Sequence, residues 1–154
     1  MSEFTFLIIL LFASYLAGST PTSIIIGRVT RNIDIREHGS GNAGATNVFR
    51  VIGWKPALVV IFVDVFKGWL PSAIFAPTFF HTQQIPDLGV LQILCGFSAV
   101  LGHTYTIFAK FKGGKGVATL VGMALALFPT VFPFCLSVAV LTIILTGYVS
   151  LASI

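Results

Sequence analysis

Charged residues are scarce in this chain. Asp, Glu, Lys and Arg make up 9% of its 154 residues, whereas hydrophobic residues make up 56%. An average soluble domain has about a quarter of its residues charged. The apolar residues also occur in long runs and not as a one-sided helical stripe. The sequence therefore predicts an all-α, polytopic membrane helical bundle that forms a single membrane domain over residues 1–154.

Cysteine is nearly absent as well, and the chain lacks the spacings that bind metals. Cys95 and Cys135 both lie inside apolar runs, without Cys/His ligand spacing around them. Two free thiols are therefore expected, with no metal and no cofactor. The N-terminus lacks the basic region and the cleavage site of a signal peptide, so the first apolar run is predicted to remain as a membrane span.

The apolar runs predict about five transmembrane helices. They cover residues 4–26, 57–80, 88–108, 117–132 and 134–149. The first three have the roughly 20 residues that a helix needs to cross the hydrocarbon layer. The last two are shorter and meet at the sequence FPTVFP, residues 128–133. Two prolines at this place favour a tight turn between two spans, with a single kinked helix as the alternative.

The cations predict the orientation of these spans. Eight of the nine Lys and Arg residues lie in two loops, at about 27–55 and 109–116. The net charge of +4 is therefore no sign of nucleic-acid binding, since no basic face interleaved with aromatic residues is present. By the positive-inside rule the N-terminus lies outside and both loops are cytoplasmic. The polar motifs of the chain thus gather on one membrane face.

The most informative of these motifs is SGNAGATN, residues 40–47. Its glycines allow a close approach of the backbone to a ligand, and its Ser, Thr and Asn side chains add neutral donors, a composition that suits an oxyanion. Arg50 follows three residues later and is a candidate for a charged contact to phosphate. The motif is not a dinucleotide fingerprint, because GSGNAG follows no strand. GGKG at residues 113–116 is not a P-loop, because a P-loop would need Gly at 109 and Ser or Thr at 116, where this chain has Ala and Gly.

Three further polar positions lie within or beside the apolar runs. Asp64 and Lys67 are one helical turn apart in the second run, where they form either an ion pair that orients the helix or a ligand-facing pair. His103 lies just before the Lys/Gly loop, which raises its interest as a functional residue. His38 and His81 are interpreted as structural. Ser150 and Ser153 end the last run, where helix-end serines commonly bond the backbone.

Four blocks of this sequence resemble the bacterial glycerol-3-phosphate acyltransferases that depend on acyl phosphate. The blocks are SGNAGATN at 40–47, DVFKG at 64–68, the stretch from Gly102 to Thr119, and YVSLASI at 148–154. No His-x₄-Asp box follows any histidine, which separates the chain from the acyltransferases that use acyl-CoA.

The resemblance implies an inner-membrane enzyme whose active site faces the cytoplasm. Such an enzyme transfers a fatty acyl group from acyl phosphate to the 1-hydroxyl of glycerol 3-phosphate and releases lysophosphatidic acid and phosphate. It acts in phospholipid biosynthesis, and a separate phosphate acyltransferase supplies the acyl phosphate. In the family view, the substrate's own phosphate takes the proton. The family has seven spans, so a chain that ends at Ile154 is expected to be a fragment, a natural truncation or an unusual short form.

The resemblance and the residue chemistry together predict the site. The catalytic candidates are Ser40, Arg50, Lys115 and His103. The acyl-phosphate candidates are Ser40, Gly41, Asn42, Gly44, Thr46 and Asn47. The glycerol-3-phosphate candidates are Arg50, Lys115, Lys112, Ser150 and Ser153, with Lys67 and Asp64 as further possibilities.

Two other classes of function stay open at this stage. A small anion transporter or channel would use Asp64 and Lys67 to line its path, although the clustering of motifs on one face argues against it. A catalytically incomplete membrane fragment or scaffold would tolerate alanine at Gly41 and Gly44.

Overall fold

The regular elements of the chain are helices throughout the part that the structure describes. A computed structural model describes residues 3–80 and 87–146. Its α-helices are α1 (Glu3–Ser19), α2 (Thr22–Arg31), α3 (Ala45–Val51), α4 (Trp54–Leu70), α5 (Ala76–Phe80), α6 (Leu88–Thr104), α7 (Val117–Leu127) and α8 (Val131–Thr146). Short 3₁₀ turns cover Ile35–Glu37 and Ile107–Ala109, and a π-helical segment at Pro71–Phe75 joins α4 to α5. The all-α prediction is confirmed.

Three helical stretches are long and apolar enough to cross a membrane, by length and composition. They are Phe4–Arg31, Trp54–Phe80 and Leu88–Ala109. They correspond to the first three apolar runs, because mean hydropathy over about 20 residues identifies a span without knowledge of its neighbours. The count of five spans and the outside position of the N-terminus stay predictions.

The first stretch is broken where the sequence predicts an unbroken span. α1 ends at Ser19 and α2 begins at Thr22, with Pro21 between them. Proline lacks a backbone N–H and cannot bond the carbonyl four residues before it, which favours a helix break here. Two side chains from elsewhere in the chain bond carbonyls at the break: the Thr106 hydroxyl donates to the Ser19 carbonyl, and the Lys67 ammonium donates to the Thr20 carbonyl at 2.5 Å.

Two helix pairs pack by reciprocal glycines. In the α4–α7 pair, a Cβ on Gly68 would collide with the Thr119 carbonyl, and one on Gly122 with the Val65 carbonyl. Gly18 and Gly102 play the same part between α1 and α6. Small residues at such crossings let helix backbones approach closely, which supplies packing energy where lipid offers no hydrophobic driving force. These contacts hold α4 against α7 and α1 against α6.

The C-terminal part of the described chain forms two helices and not one kinked helix. α7 ends at Leu127 and α8 begins at Val131, so the break lies at residues 128–130, ahead of the predicted boundary at 132–134. α7 has 11 residues. At about 1.5 Å per residue it extends about 16 Å, well short of a hydrocarbon core about 30 Å thick. By itself α7 is therefore too short to be a full span.

The predicted loop at 27–55 is largely structured. α2 extends to Arg31, a 3₁₀ turn follows at Ile35–Glu37, and α3 occupies Ala45–Val51 before α4 begins at Trp54. The Ile35 and Val48 side chains are fully buried and pack in one cluster with Ile24, Ala57 and Val60 of the neighbouring helices. The 40–47 motif is thus held between segments that pack in a small apolar core.

Candidate functional site

A cavity of about 500 Å³ opens where the 40–47 loop, α3, α4, the end of α6 and the start of α7 meet. Its polar lining brings together most of the predicted site residues, which come from three separate sequence blocks: Ser40, Asn42, Gly44, Thr46, Asn47, Arg50, Asp64, His103 and Lys115. All four predicted catalytic residues line this single cavity.

Asn47 organises the 40–47 loop from within. Its side chain is 2% exposed, and its amide nitrogen donates to the carbonyls of Ile35 (3.0 Å) and His38 (2.9 Å). Its carbonyl oxygen accepts the backbone N–H of Ser40 at 2.8 Å. These bonds engage the polar atoms of the carboxamide inside the loop. The residue predicted as a phosphate contact therefore holds the loop in shape.

Backbone bonds also take up part of the predicted N–H cradle. The Gly41 N–H donates to the His38 carbonyl, and the Asn47 N–H donates to the Gly44 carbonyl. The Ser40 N–H is bonded to Asn47, and the loop residues that line the cavity besides Asn47 are Ser40, Asn42, Gly44, Ala45 and Thr46.

The Lys/Gly loop sits directly on the end of α6. The N–H groups of Gly113 and Gly114 donate to the carbonyls of Thr104 (3.0 Å) and His103 (3.2 Å). A Cβ on Gly113 would collide with the His103 carbonyl, and one on Gly114 with the His103 imidazole. The glycines of this loop are thus required by close packing against α6. Lys115 follows at once and is exposed at the cavity.

The buried charges behind the cavity form a connected group. Asp64 and Lys67 are 2% and 5% exposed, and their Oδ1 and Nζ atoms lie 2.6 Å apart. The Nδ1 atom of His103, itself 8% exposed, lies 3.7 Å from the same Asp64 oxygen. Asp64 and His103 line the large cavity, whereas Lys67 lines only an adjoining space of about 10 Å³. The accessible cations at the large cavity are Arg50 and Lys115.

Several predicted residues lie elsewhere. Gly41 and Lys112 line a second cleft of about 430 Å³, together with Asp34, Arg36 and Lys110. Asn42 is shared between the two openings. Ser150 and Ser153, as well as His81, lie outside the described residues. Lys112 is therefore separated from Arg50 and Lys115, which the sequence grouped with it.

An apolar groove adjoins the cavity, and sequence reasoning missed it. It has a volume of about 290 Å³ and is lined by Ala45, Thr46, Phe49, Trp54, Ala57, Leu58 and Ile61. Ala45, Thr46 and Ile61 belong to both spaces, so the groove and the polar cavity are neighbours with a common wall. In the sequence, these apolar residues only extend a predicted span. Their role as a groove wall depends on how α3 packs beside α4.

The second cleft contains an ion pair outside the membrane-spanning stretches. The Asp34 carboxylate accepts from the Arg36 guanidinium at 2.6 Å and from the Arg36 N–H at 3.0 Å. Arg36 holds the pKa of Asp34 down, from its usual value of 3.8 to about 2. A carboxylate whose pKa is lower in the folded than in the unfolded protein stabilises the fold at pH values above its unfolded pKa. This stability is lost as the pH falls through the folded pKa.

Asp34→Asn is accordingly expected to lower the free energy of unfolding by about 0.5–1 kcal/mol at pH 7, a modest amount because the pair is partly exposed. The asparagine keeps the acceptor for the Arg36 N–H, so the variant removes mainly the charge. The difference in thermal midpoint between the variant and the parent should shrink between pH 4 and pH 2. A difference of equal size at both pH values would contradict the charge as its cause.

Within the described ranges, no group of three or more His, Cys, Asp or Glu side chains comes close enough to bind a metal ion. The cavity lining includes the cations Arg50 and Lys115 and the side chains of Ser40, Asn42 and Thr46.

Comparison with known proteins gives one consistent family. The sequence model described as glycerol-3-phosphate acyltransferase matches residues 8–154. The chain is 50% identical over 153 residues to the glycerol-3-phosphate acyltransferase of Chlorobium phaeobacteroides (strain BS1), covering 96% of this chain and 65% of that protein. It is 49% identical over 155 residues to that of Chlorobaculum parvum (strain DSM 263 / NCIMB 8327), covering 97% and 66%. The chain thus spans slightly less than two thirds of these relatives.

Two solved structures are also similar. One is the crystal structure of PlsY (YgiH), an integral membrane glycerol 3-phosphate acyltransferase, in its glycerol 3-phosphate form. It superposes with a TM-score of 0.77 at 38% identity, covering 96% of this chain and 70% of that one. The lysophosphatidic acid form of the same enzyme gives a TM-score of 0.75 at 37% identity, covering 96% and 69%.

Proposed function

The chain belongs to the glycerol-3-phosphate acyltransferase family, and from this we propose that it forms the substrate-binding part of an acyltransferase that uses acyl phosphate. It is a membrane protein, and we propose the bacterial inner membrane as its location, with the cavity facing the cytoplasm. The proposed substrates are a fatty acyl phosphate and glycerol 3-phosphate, and the proposed products are lysophosphatidic acid and inorganic phosphate.

One observation carries this proposal: a cationic polar cavity shares a wall with an apolar groove. Arg50 and Lys115 contribute positive charge to the cavity, while Phe49, Trp54 and Leu58 line the groove beside it. An acyl phosphate has the same two-part character, with an anionic head and an apolar chain. A purely soluble anion would need only the cavity, and a lipid chain alone would need only the groove.

The reaction requires positioning above all. The glycerol hydroxyl oxygen forms a bond to the acyl carbon, the bond from that carbon to the phosphate oxygen breaks, and the hydroxyl proton leaves with the phosphate. Because the mixed anhydride is already activated, the site must hold two anions together and align one hydroxyl with one carbonyl. Alignment of this kind supplies up to about 7–11 kcal/mol in favourable intramolecular systems.

We assign the two anions to the two walls of the cavity. The loop at 40–46, with the Ser40, Asn42 and Thr46 side chains, is proposed to bind the phosphoryl group of the acyl phosphate. Arg50 and Lys115 are proposed to bind glycerol 3-phosphate through charge-assisted hydrogen bonds. Ser150 and Ser153 remain proposed contacts to glycerol 3-phosphate.

The direct test is a product assay in membranes. The 154-residue chain, and the same chain extended by the C-terminal remainder of the Chlorobium relative, are each incubated with palmitoyl phosphate and labelled glycerol 3-phosphate. We expect lysophosphatidate from the extended chain at least. A folded, membrane-inserted extended chain that makes no product would contradict the proposal. Flux of glycerol 3-phosphate into proteoliposomes without conversion would instead support an anion transporter.

The groove provides a second, smaller test of the same function. Leu58→Trp adds an indole to the groove wall, away from the residues shared with the cavity. We expect the KM for palmitoyl phosphate to rise several-fold, while a short-chain acyl phosphate and glycerol 3-phosphate keep their values, since a filled groove excludes only a long chain. Val29→Trp, at an exposed position on α2, is the control. An equal change for short and long donors would mean that the acyl chain does not lie here.

The transporter alternative has less support from the arrangement of charges. Both Asp64 and Lys67 are buried and paired with each other, and the Lys67 ammonium also bonds the Thr20 carbonyl. Such engaged groups suit a fixed structural position better than a path that ions traverse.

A further inference from the structure

The group formed by Lys67, Asp64 and His103 has no part in the function proposed so far. All three side chains are more than nine-tenths buried. They come from α4 and α6, and together they adjoin a space of about 10 Å³ behind the cavity. A buried ion pair is costly to place in an interior and is weak evidence of a gain in stability. The question is what this pair holds in place.

Lys67 faces away from the large cavity. Its ammonium bonds Asp64 at 2.6 Å and the Thr20 carbonyl at 2.5 Å, at the break between α1 and α2. The contact with Asp64 lies within α4, and the bond to the Thr20 carbonyl ties α4 to the first helical stretch. Lys67 therefore keeps the Asp64 carboxylate in place and compensates its charge, which would otherwise oppose the binding of phosphates in the cavity.

His103 occupies the space between Asp64 and the Lys/Gly loop. One ring nitrogen lies 3.7 Å from the Asp64 carboxylate, which is longer than a hydrogen bond but close enough for the two side chains to pack against each other. The other ring nitrogen lies against Gly114, where no Cβ fits. The imidazole is thus packed between a charged wall on α4 and the backbone of the loop.

Gly114 transmits this contact to both anion-binding loops. It bonds the His103 carbonyl through its N–H, and a Cβ on Gly114 would come within 3.0 Å of the Ala43 carbonyl in the 40–47 loop. Lys115 is the next residue and lines the large cavity. A displaced imidazole would therefore move the part of the chain that presents Lys115.

We propose that Asp64 is a positioning residue that acts through His103: held by Lys67, it sets the imidazole against Gly114 and so places Lys115 for glycerol 3-phosphate. Lys67 itself touches no substrate. This inference rests on the proposed function for the identity of the ligand. Its consequence for binding can nevertheless be measured without turnover.

The test measures the equilibrium affinity for glycerol 3-phosphate, by calorimetry, and separately the kcat and KM of the extended chain. Asp64→Asn should weaken glycerol 3-phosphate binding about tenfold, a change of about 1.4 kcal/mol, and raise KM by a similar factor with little change in kcat. His103→Gln should do the same. In the double variant the two effects should not add, because Asp64 acts only through the imidazole.

Two further variants guard against loss of folding. Asp64→Asn leaves Lys67 without its counter-charge, so Asp64→Asn combined with Lys67→Met removes both charges at similar volume, a change that buried pairs often tolerate. It should weaken binding as Asp64→Asn does. Asp87→Asn, at the far end of α6, keeps its capping contacts to Gly89 and Val90 and should leave affinity unchanged.

The outcomes separate the two claims. Unchanged affinity in both Asp64 variants would overturn the inference, and so would fully additive effects of Asp64 and His103, or a loss of kcat with KM unchanged. Affinity changes as expected, in a protein that binds glycerol 3-phosphate but makes no lysophosphatidate, would support the inference and count against the proposed acyl transfer.

Discussion

Arg50→Ala is expected to lower kcat/KM for glycerol 3-phosphate about 100-fold. Arg50 lies in the last turn of α3. Both Arg50 and Lys115 line the cavity. A hydrogen bond to a charged group contributes about 1.5–3 kcal/mol, and the guanidinium fork adds directional recognition of a phosphate. Initial-rate kinetics with glycerol 3-phosphate varied at saturating acyl phosphate measure the effect.

Two variants make the Arg50 result specific. Arg50→Lys keeps the charge but not the fork, so it should recover only part of the loss. Arg31→Ala removes an exposed cation at the end of α2, outside the cavity lining, and should keep the parent kinetics. If Arg50→Ala leaves both KM and kcat unchanged, Arg50 has no place in the proposed site.

Asn47→Ala should have the largest effect on stability, about 2–4 kcal/mol, together with loss of activity. The substitution removes three hydrogen bonds and leaves the Ser40 N–H and the carbonyls of Ile35 and His38 without this partner. Buried groups that lose their partner cost about 1–3 kcal/mol each, which relaxation of the loop reduces. Thermal unfolding in detergent measures the change, and the acyl-transfer assay measures its consequence for the loop.

The design separates the loop bonds from general damage. Asn47→Asp keeps the acceptor for Ser40 but turns carboxylate oxygens toward two carbonyls, so it should be as harmful as alanine. His38→Ala changes an exposed side chain in the same turn and keeps the carbonyl that Asn47 bonds. It should stay close to the parent. A tolerated Asn47→Asp would mean that the two donated bonds contribute little.

The candidate site was predictable in its composition and less so in its roles. Motif chemistry and the family resemblance predict Ser40, Arg50, His103 and Lys115 as site residues, and all of them line one cavity. They predict Asn47 for the same reasons, yet its amide is engaged inside the loop. A carboxamide can bind a ligand or form hydrogen bonds within its own loop. Residue type alone therefore does not distinguish these two roles.

Lys112 and Lys67 show a second limit of sequence reasoning. Lys112 is three residues from Lys115 in the chain but lines the other cleft, and the two glycines between them are bonded to the end of α6. Lys67 is one helical turn from Asp64 but faces the break between α1 and α2. In both cases, the direction of the side chain depends on contacts with segments that are distant in sequence.

The sequence by itself determined the membrane class, the first three long apolar stretches, the position of the cations and the composition of the 40–47 loop, from which an anion site is predicted. These follow from hydropathy, charge and composition, which are local properties of a segment. Only the tertiary structure decided that the first stretch breaks at Pro21, that α7 is too short to be a full span, and that an apolar groove adjoins the polar cavity. It also decided that Lys67, Asp64 and His103 meet behind that cavity. These features depend on contacts between segments that are distant in sequence. Reciprocal glycines and buried polar pairs set how closely those segments approach each other.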